Sequence, residues 1–230
     1  KPSDPTWEKR VGGIVRIIET YKPAIVGLQE EDEAMVADLL SRLPEYAYTA
    51  PVPDKGAGIL YRAREWMPVE YRREETPDGR SIGEALMKGS GGHDVYFYNA
   101  HFSPFEEKMR LNAASVLLKM IRDRPRQDVP VIVTGDLNST PDSPPLKLLT
   151  GHGTSGGLTD SFPFPVPESD CTSDAYGNNG KGGRIKIDHI LFMGPLNPVS
   201  ASASHDQPDG IFPSDHLPVL GEFDFPDANH

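Results

Sequence analysis

The chain of 230 residues predicts an α/β domain. Three observations carry this: short, nearly all-apolar segments that end on polar groups, amphipathic segments of helical period between them, and closely spaced strand-like segments near the end with no helix to separate them. Alternating strands and helices imply a sheet covered on both faces, and the late strands imply some antiparallel pairing. With 37% hydrophobic residues the chain can bury one large core, so a single domain over residues 1–230 is expected. No internal repeat and no heptad pattern is present.

From Arg10 to Thr20, the residues Val11, Ile14, Val15 and Ile18 recur at helical spacing, and Pro23 stops the pattern. "AIVGLQE" follows as a strand apolar enough to be covered on both faces, and it ends on Glu30. Leu39, Leu40 and Leu43 indicate a second helix ending at Pro44, and "AGILYR", Ala57 to Arg62, indicates another strand. From Trp66 to Gly92 the chain is polar, rich in Gly and Arg, and shows no period that assigns it. "DVYFYNAHF" alternates, with Val95, Phe97, Asn99 and His101 on one face and Tyr96, Tyr98, Ala100 and Phe102 on the other.

In "SPFEE", Ser103 reads as a helix N-cap, with Pro104 at the first helical position and Glu106 completing a capping box. Met109, Ala113, Val116, Leu117, Met120 and Ile121 give that helix its apolar face. "VPVIVTGD" is the next strand and Pro144 to Leu149 a short helix; the Gly/Pro/Ser-rich stretch to Gly183 is long enough for a functional loop. "RIKIDHILFM" places Lys186, Asp188, Ile190 and Phe192 on one face. "SDHLPVLGEFDF" closes the series, with Val219, Phe223 and Phe225 alternating against Leu220, Glu222 and Asp224.

Composition narrows the function. No apolar stretch approaches the roughly 20 residues of a membrane-spanning helix, and no signal-peptide pattern opens the sequence. The one cysteine, Cys171, excludes an intramolecular disulfide and a multi-cysteine zinc site. With 23 Lys plus Arg against 34 Asp plus Glu, the net charge of −11 opposes non-specific attraction to a polyanion, although cations bound by acidic ligands reverse that sign locally.

The polar residues at strand ends are the informative ones. In "VTGDLNSTPDS", Val133 to Ser143, Asp136 and Asn138 share a face if the strand continues that far, while the same residues are also turn-formers. Glu30, His101, Asp188, Asp215 and His216 stand at comparable places. A carboxylate such as Asp188 inside an apolar strand needs a partner or a cation, and Lys186 is a candidate partner. Carboxylates without cysteines suit Mg²⁺, Mn²⁺ or Ca²⁺, and histidines beside them suit proton transfer near neutral pH.

In this order, "VGLQE", "YNAHF", "GDLNSTPDS", "IDHI" and "SDHLPV" resemble the motif series of the endonuclease/exonuclease/phosphatase superfamily, over Trp7 to Phe225. The resemblance implies a four-layer α/β sandwich of two facing mixed sheets flanked by helices, a Mg²⁺ or Mn²⁺ site, and hydrolysis of a phosphate ester. It makes Glu30 the principal metal ligand with Asp215 near the metal, and has His101 contact the scissile phosphate. Asp136 and Asn138 would orient or deprotonate the attacking water and hold the phosphate, and Asp188 would polarise His216.

Lys186 and Arg184, with Lys181, lie close enough in sequence to Asp188 to meet substrate phosphates, and Arg72, Arg73 and Arg80 form a second basic patch. The substrate is expected to be a nucleic acid, a lipid or a small phosphorylated molecule, and the protein a monomer. A phosphodiesterase is the leading expectation; the alternatives are a phosphomonoesterase or lipid phosphodiesterase of the same fold, and a catalytically silent binding relative. Members of the family begin with a strand that carries an Asn near the metal, so the resemblance also implies a strand upstream of Lys1.

Overall fold

The computed structural model describes residues 5–49, 57–151, 157–162, 171–173 and 185–226. The first helix, α1 (Trp7–Tyr21), leads through a left-handed Lys22 into β1 (Ile25–Gly27); then come α2 (Glu33–Arg42), β2 (Tyr46–Tyr48) and β3 (Ile59–Arg62). The unassigned polar region is a long hairpin, β4 (Trp66–Glu75) and β5 (Ser81–Gly89). It is followed by β6 (Asp94–His101), α3 (Glu107–Asp123), β7 (Val131–Asp136), α4 (Pro144–Thr150) and a two-residue β8 (Thr159–Asp160). The chain closes with β9 (Asp188–Met193), β10 (Asn197–Ala203) and β11 (Val219–Asp224).

One mixed sheet of six strands, in the order β4-β5-β6-β7-β9-β8, forms the centre, with β6 and β7 its parallel pair. Facing it are a three-stranded sheet, β1-β3-β2, and a two-stranded sheet, β10-β11. Both smaller sheets are antiparallel, so only the large sheet is mixed, and the facing layer is hydrogen-bonded as two pieces among the described residues. α3 and α4 cover the outer face of the large sheet through Tyr96, Tyr98, Val131, Val133 and Leu191. α1 and α2 cover β3 through Val11, Ile18, Leu39 and Leu60. The result is the four-layer order of helix, sheet, sheet, helix.

The alternation read from β6 holds: its even-numbered residues Tyr96, Tyr98 and Ala100 join the helix-side core, and Val95 and Phe97 join the core between the sheets. Between the sheets, Asn99 is fully buried and uses its whole amide. Its Nδ2 donates to the Leu28 and Gly58 carbonyls at 2.6 and 2.9 Å, and its Oδ1 accepts from Gln29 Nε2 at 2.6 Å and Thr134 Oγ1 at 3.2 Å. A buried polar group is tolerable when satisfied in this way, and here it locks β1 onto β6 and β7. Gly27 makes the approach possible, since a Cβ there would lie 2.3 Å from Thr134 Oγ1 and 2.5 Å from Asn99 Oδ1.

The capping box does not form. α3 begins at Glu107 with Glu106 at the N-cap and no side-chain cap. Ser103 instead belongs to the turn leaving β6, where its Oγ accepts from the Phe105 amide at 3.4 Å and its carbonyl accepts from Arg110 at 3.1 Å. The chain needs those residues to turn back over the sheet, which delays the helix.

Candidate active site

Strand register builds the centre of the site. Parallel pairing sets His101 opposite Asp136, and antiparallel pairing sets Asp136 opposite Asp188. Paired residues point to the same face of a sheet. The row His101–Asp136–Asp188 therefore lies two residues beyond the row Asn99–Thr134–Ile190, on the face between the sheets and at the rim where β6 and β7 end. The strands can approach here because residue 135 is glycine: its φ is +150°, and a Cβ would sit 1.9 Å from the Ala100 carbonyl oxygen.

The strand does not continue to Asn138. β7 stops at Asp136, and Asn138 adopts a left-handed backbone with φ 46°. The carboxamide still arrives beside the carboxylate, because the chain folds back on it. The Asn138 amide donates to Asp136 Oδ1 at 2.9 Å, and its Nδ2 donates to Asp136 Oδ2 at 3.1 Å and to the Phe102 carbonyl at 3.0 Å. The turn chemistry and the site are the same feature.

His216 comes from the bends before β11 and places Nδ1 2.8 and 3.0 Å from the two Asp188 oxygens. Asp136, Asp188 and His216 offer ligand atoms within 4.8 Å of one another, the one such group found among the described residues. His101 Nε2 lies 3.5 Å from Asp136 Oδ2. Glu30 follows β1 with a left-handed φ of 62° and is exposed; its charge bears on Asp136. Asp215 is half-buried, and its charge bears on His216. Neither belongs to the group of close ligand atoms.

Electrostatics separate these groups. Burial and then the neighbouring Asp188 charge push the Asp136 carboxyl up to about 7. For His216 burial opposes the charged form, but the hydrogen bond and charge of Asp188 prevail and lift the imidazole to about 9. Burial, reinforced by the charge of Arg80, pushes His101 down to about 4. At neutral pH the site thus holds a neutral imidazole, a protonated one, and a carboxyl near its midpoint.

The basic residues behave differently from expectation. Lys186 does not pair with Asp188 and does not face the site. Its side chain is 1% exposed and is engaged by Asp160 and His189, because the chain entering β9 turns it toward β8. Its ammonium is thus turned away from the row of His101, Asp136 and Asp188. Arg184 and Lys181 lie outside the described residues. Arg72 grips Glu84 with two bonds of 2.6 and 2.8 Å, Arg73 is 3.7 Å from Glu75, and of this patch Arg80 alone acts on a site residue, His101.

Sequence reasoning missed two supports. Thr172 is fully buried; its Oγ1 accepts from the Ile187 and Asp188 amides at 3.2 and 3.1 Å, and its carbonyl accepts from the Leu217 amide at 2.7 Å. It thereby ties the segment bearing Asp188 to the residue after His216. Glu31, next to Glu30, is buried and accepts from Tyr48 Oη and the Gly58 amide, both at 2.8 Å. No local pattern distinguishes either residue.

Carboxylates, imidazoles and a carboxamide thus gather at the rim of a two-sheet sandwich. The sequence matches the model of the Endonuclease/Exonuclease/phosphatase family over residues 3–216, and the chain belongs to that family. It is a hydrolase of phosphoric ester bonds.

The fold is similar to that of an endonuclease/exonuclease/phosphatase from Bacteroides vulgatus, with 22% identity, 96% of this chain and 92% of that chain covered, and a TM-score of 0.83. It is also similar to the mannosyl-6-phosphatase Bt3783 of Bacteroides thetaiotaomicron, with 22% identity, 95% and 92% covered, and a TM-score of 0.81. D. rerio TDP2 complexed with single-strand DNA product has 21% identity, 96% and 94% covered, and a TM-score of 0.80. No curated protein matches the chain.

Proposed function

We propose that the chain is a divalent-cation-dependent phosphodiesterase in which water attacks phosphorus in line with the leaving oxygen. One observation supports this above the rest: register places His101, Asp136 and Asp188 in one row, and Asn138 and His216 close on it by hydrogen bonds. The donor set fits a hard cation, since two facing carboxylates with Glu30 and Asp215 near them accumulate negative charge that a cation relieves. Glu30 and Asp215 are the residues assigned to hold Mg²⁺ or Mn²⁺. When bound, the cation would draw charge from the phosphoryl oxygens.

The chain's own groups divide the remaining work. Neutral His101 donates to a non-bridging oxygen as charge develops there. Asp136, its two oxygens held by Asn138, orients the water and takes its proton. Protonated His216, kept so by Asp188, faces the phosphate and neutralises the leaving side. These residues act as a set, so removing any one costs more than its share.

The withdrawal of Lys186 favours a second reading, a small phosphorylated substrate or a monoester, because a polyanion loses one of its expected cationic contacts. Proteins of similar fold include both a mannosyl-6-phosphatase and a protein complexed with single-strand DNA product. Hydrolysis of bis(p-nitrophenyl) phosphate and of p-nitrophenyl phosphate, each with Mg²⁺, Mn²⁺ or chelator, separates the readings. Metal-dependent turnover of the diester, lost in Asp136→Ala, is expected. Faster turnover of the monoester selects the second reading, and activity unchanged by Asp136→Ala or by chelator rejects the mechanism.

A further inference from the structure

On the helix side of the large sheet, Asp160, Lys186 and His189 form a buried network that the proposed chemistry does not use. Lys186 Nζ donates to Asp160 Oδ2 at 2.9 Å and lies 2.6 Å from His189 Nδ1, with the Phe162 ring 4.5 Å away. His189 is fully buried; its Nδ1 is 2.9 Å from the same Asp160 oxygen, and its Nε2 is 2.8 Å from the Ser139 carbonyl oxygen. A carbonyl only accepts, so Nε2 carries the proton. Nδ1 faces both an ammonium, which only donates, and a carboxylate oxygen, which only accepts, so the network fixes the orientation of the ring and the proton on Nε2.

The network reaches the site through that one carbonyl. Ser139 follows Asn138, whose left-handed backbone is uncommon outside glycine. The turn is gripped on both sides: the Leu137 amide donates to the Ile187 carbonyl at 2.9 Å, and the Ser139 carbonyl accepts from His189. A lysine buried this deeply against a part-buried aspartate gives up solvation that an apolar side chain would not, so stability alone is a weak reason for the pair.

We propose that His189, oriented by Lys186 and Asp160, is a positioning residue: by holding the Ser139 carbonyl it keeps both Asn138 donors on the Asp136 carboxylate. The proposal rests on the phosphoesterase reading of the site. It concerns a residue that touches neither substrate nor cation and acts through the 137–139 turn.

Two near-isosteres test it. The glutamine amide nitrogen reaches the place of Nε2, whereas the asparagine amide reaches only that of Nδ1. His189→Gln should keep kcat within about fivefold, while His189→Asn should lose about 10²-fold in kcat with KM little changed, as expected for a misplaced catalytic group. Equal losses in the two, or losses that follow the melting temperature, would overturn the proposal. If His189→Asn does not fold, the double variant Asp160→Leu/Lys186→Met keeps His189 and removes what orients it. A fall in kcat in that folded variant supports the proposal, and unchanged kcat rejects it.

Nitrogen NMR of the wild-type imidazoles supplies a readout that needs no substrate. A protonated Nε2 on His189 supports the proposal, and a bare Nε2 overturns it. If the wild type hydrolyses neither ester, the phosphoesterase reading fails, and the NMR result judges the network by itself.

Discussion

Two Asp–His pairs stand at adjacent places on β9, and they do opposite things. Asp188 points between the sheets and holds His216 at 2.8 Å; His189, the next residue, points to the helix side and meets Asp160 at 2.9 Å. In the first pair no lysine stands beside the carboxylate among the described residues, and the hydrogen bond and charge of Asp188 lift His216 to about 9. In the second, Lys186 lies against both the carboxylate and the imidazole, and the imidazole donates to the Ser139 carbonyl. The same two residue types make a charged group at the site and a structural relay behind it. What differs is whether a third group already carries the charge.

The largest effect should come from removing the charge of the first pair. Asp188→Asn is expected to lower kcat by about 10²–10⁴-fold, the range of a lost acid–base contribution. The pH profile sharpens the point. Wild-type activity should rise as Asp136 loses its proton through about pH 7 and fall as His216 loses its proton through about pH 9. In Asp188→Asn the alkaline limb should move down toward the ordinary histidine value of about 6.5; an unmoved limb would detach His216 from it.

Stability has a matching sign. Because the folded-state value of His216 is raised, the pair's contribution is full below the unfolded value of about 6.5 and disappears as pH rises through about 9. Urea titrations across that range should show the loss in the wild type and little of it in Asp188→Asn.

Breaking the second pair should act on folding first. Asp160→Asn removes the carboxylate that faces the buried Lys186 and should cost about 3–5 kcal/mol. The double change to apolar residues, Asp160→Leu/Lys186→Met, should recover most of that loss, which urea denaturation measures. A smaller effect is expected at the bridge joining the first pair: Thr172→Val keeps the shape but orphans the Ile187 and Asp188 amides, at about 1–3 kcal/mol. If it also shifts the alkaline limb, Thr172 sets the Asp188–His216 contact as well as supporting it.

The legible parts of the molecule were those whose signal is local. Helical spacing in Val11, Ile14, Val15 and Ile18 and alternation from Val95 to Phe102 reported which face is buried, because a helix or strand repeats over a few residues. The hairpin of β4 and β5 was illegible because β4 is an edge strand, with Met67 and Val69 exposed and arginines and glutamates along it, so polarity concealed its strand character. β2 was too short to show a period, and β10 is largely exposed and held chiefly by β11.

For the site, the sequence by itself determined the cast: His101, Asp136, Asn138, Asp188 and His216 were all visible as polar ends of apolar runs, since burying such groups in a strand is costly without a purpose. Only the tertiary structure decided the partnerships. Lys186 is two residues from Asp188 and yet belongs to Asp160, 26 positions away, while Asp188 belongs to His216, 28 positions away. Thr172 and Asn99 have roles only because other strands bring amides and carbonyls to them. Periodicity is a property of neighbours in the chain; charge and hydrogen-bond pairing belong to neighbours in space, and the register of β6, β7 and β9 is what converts the first into the second.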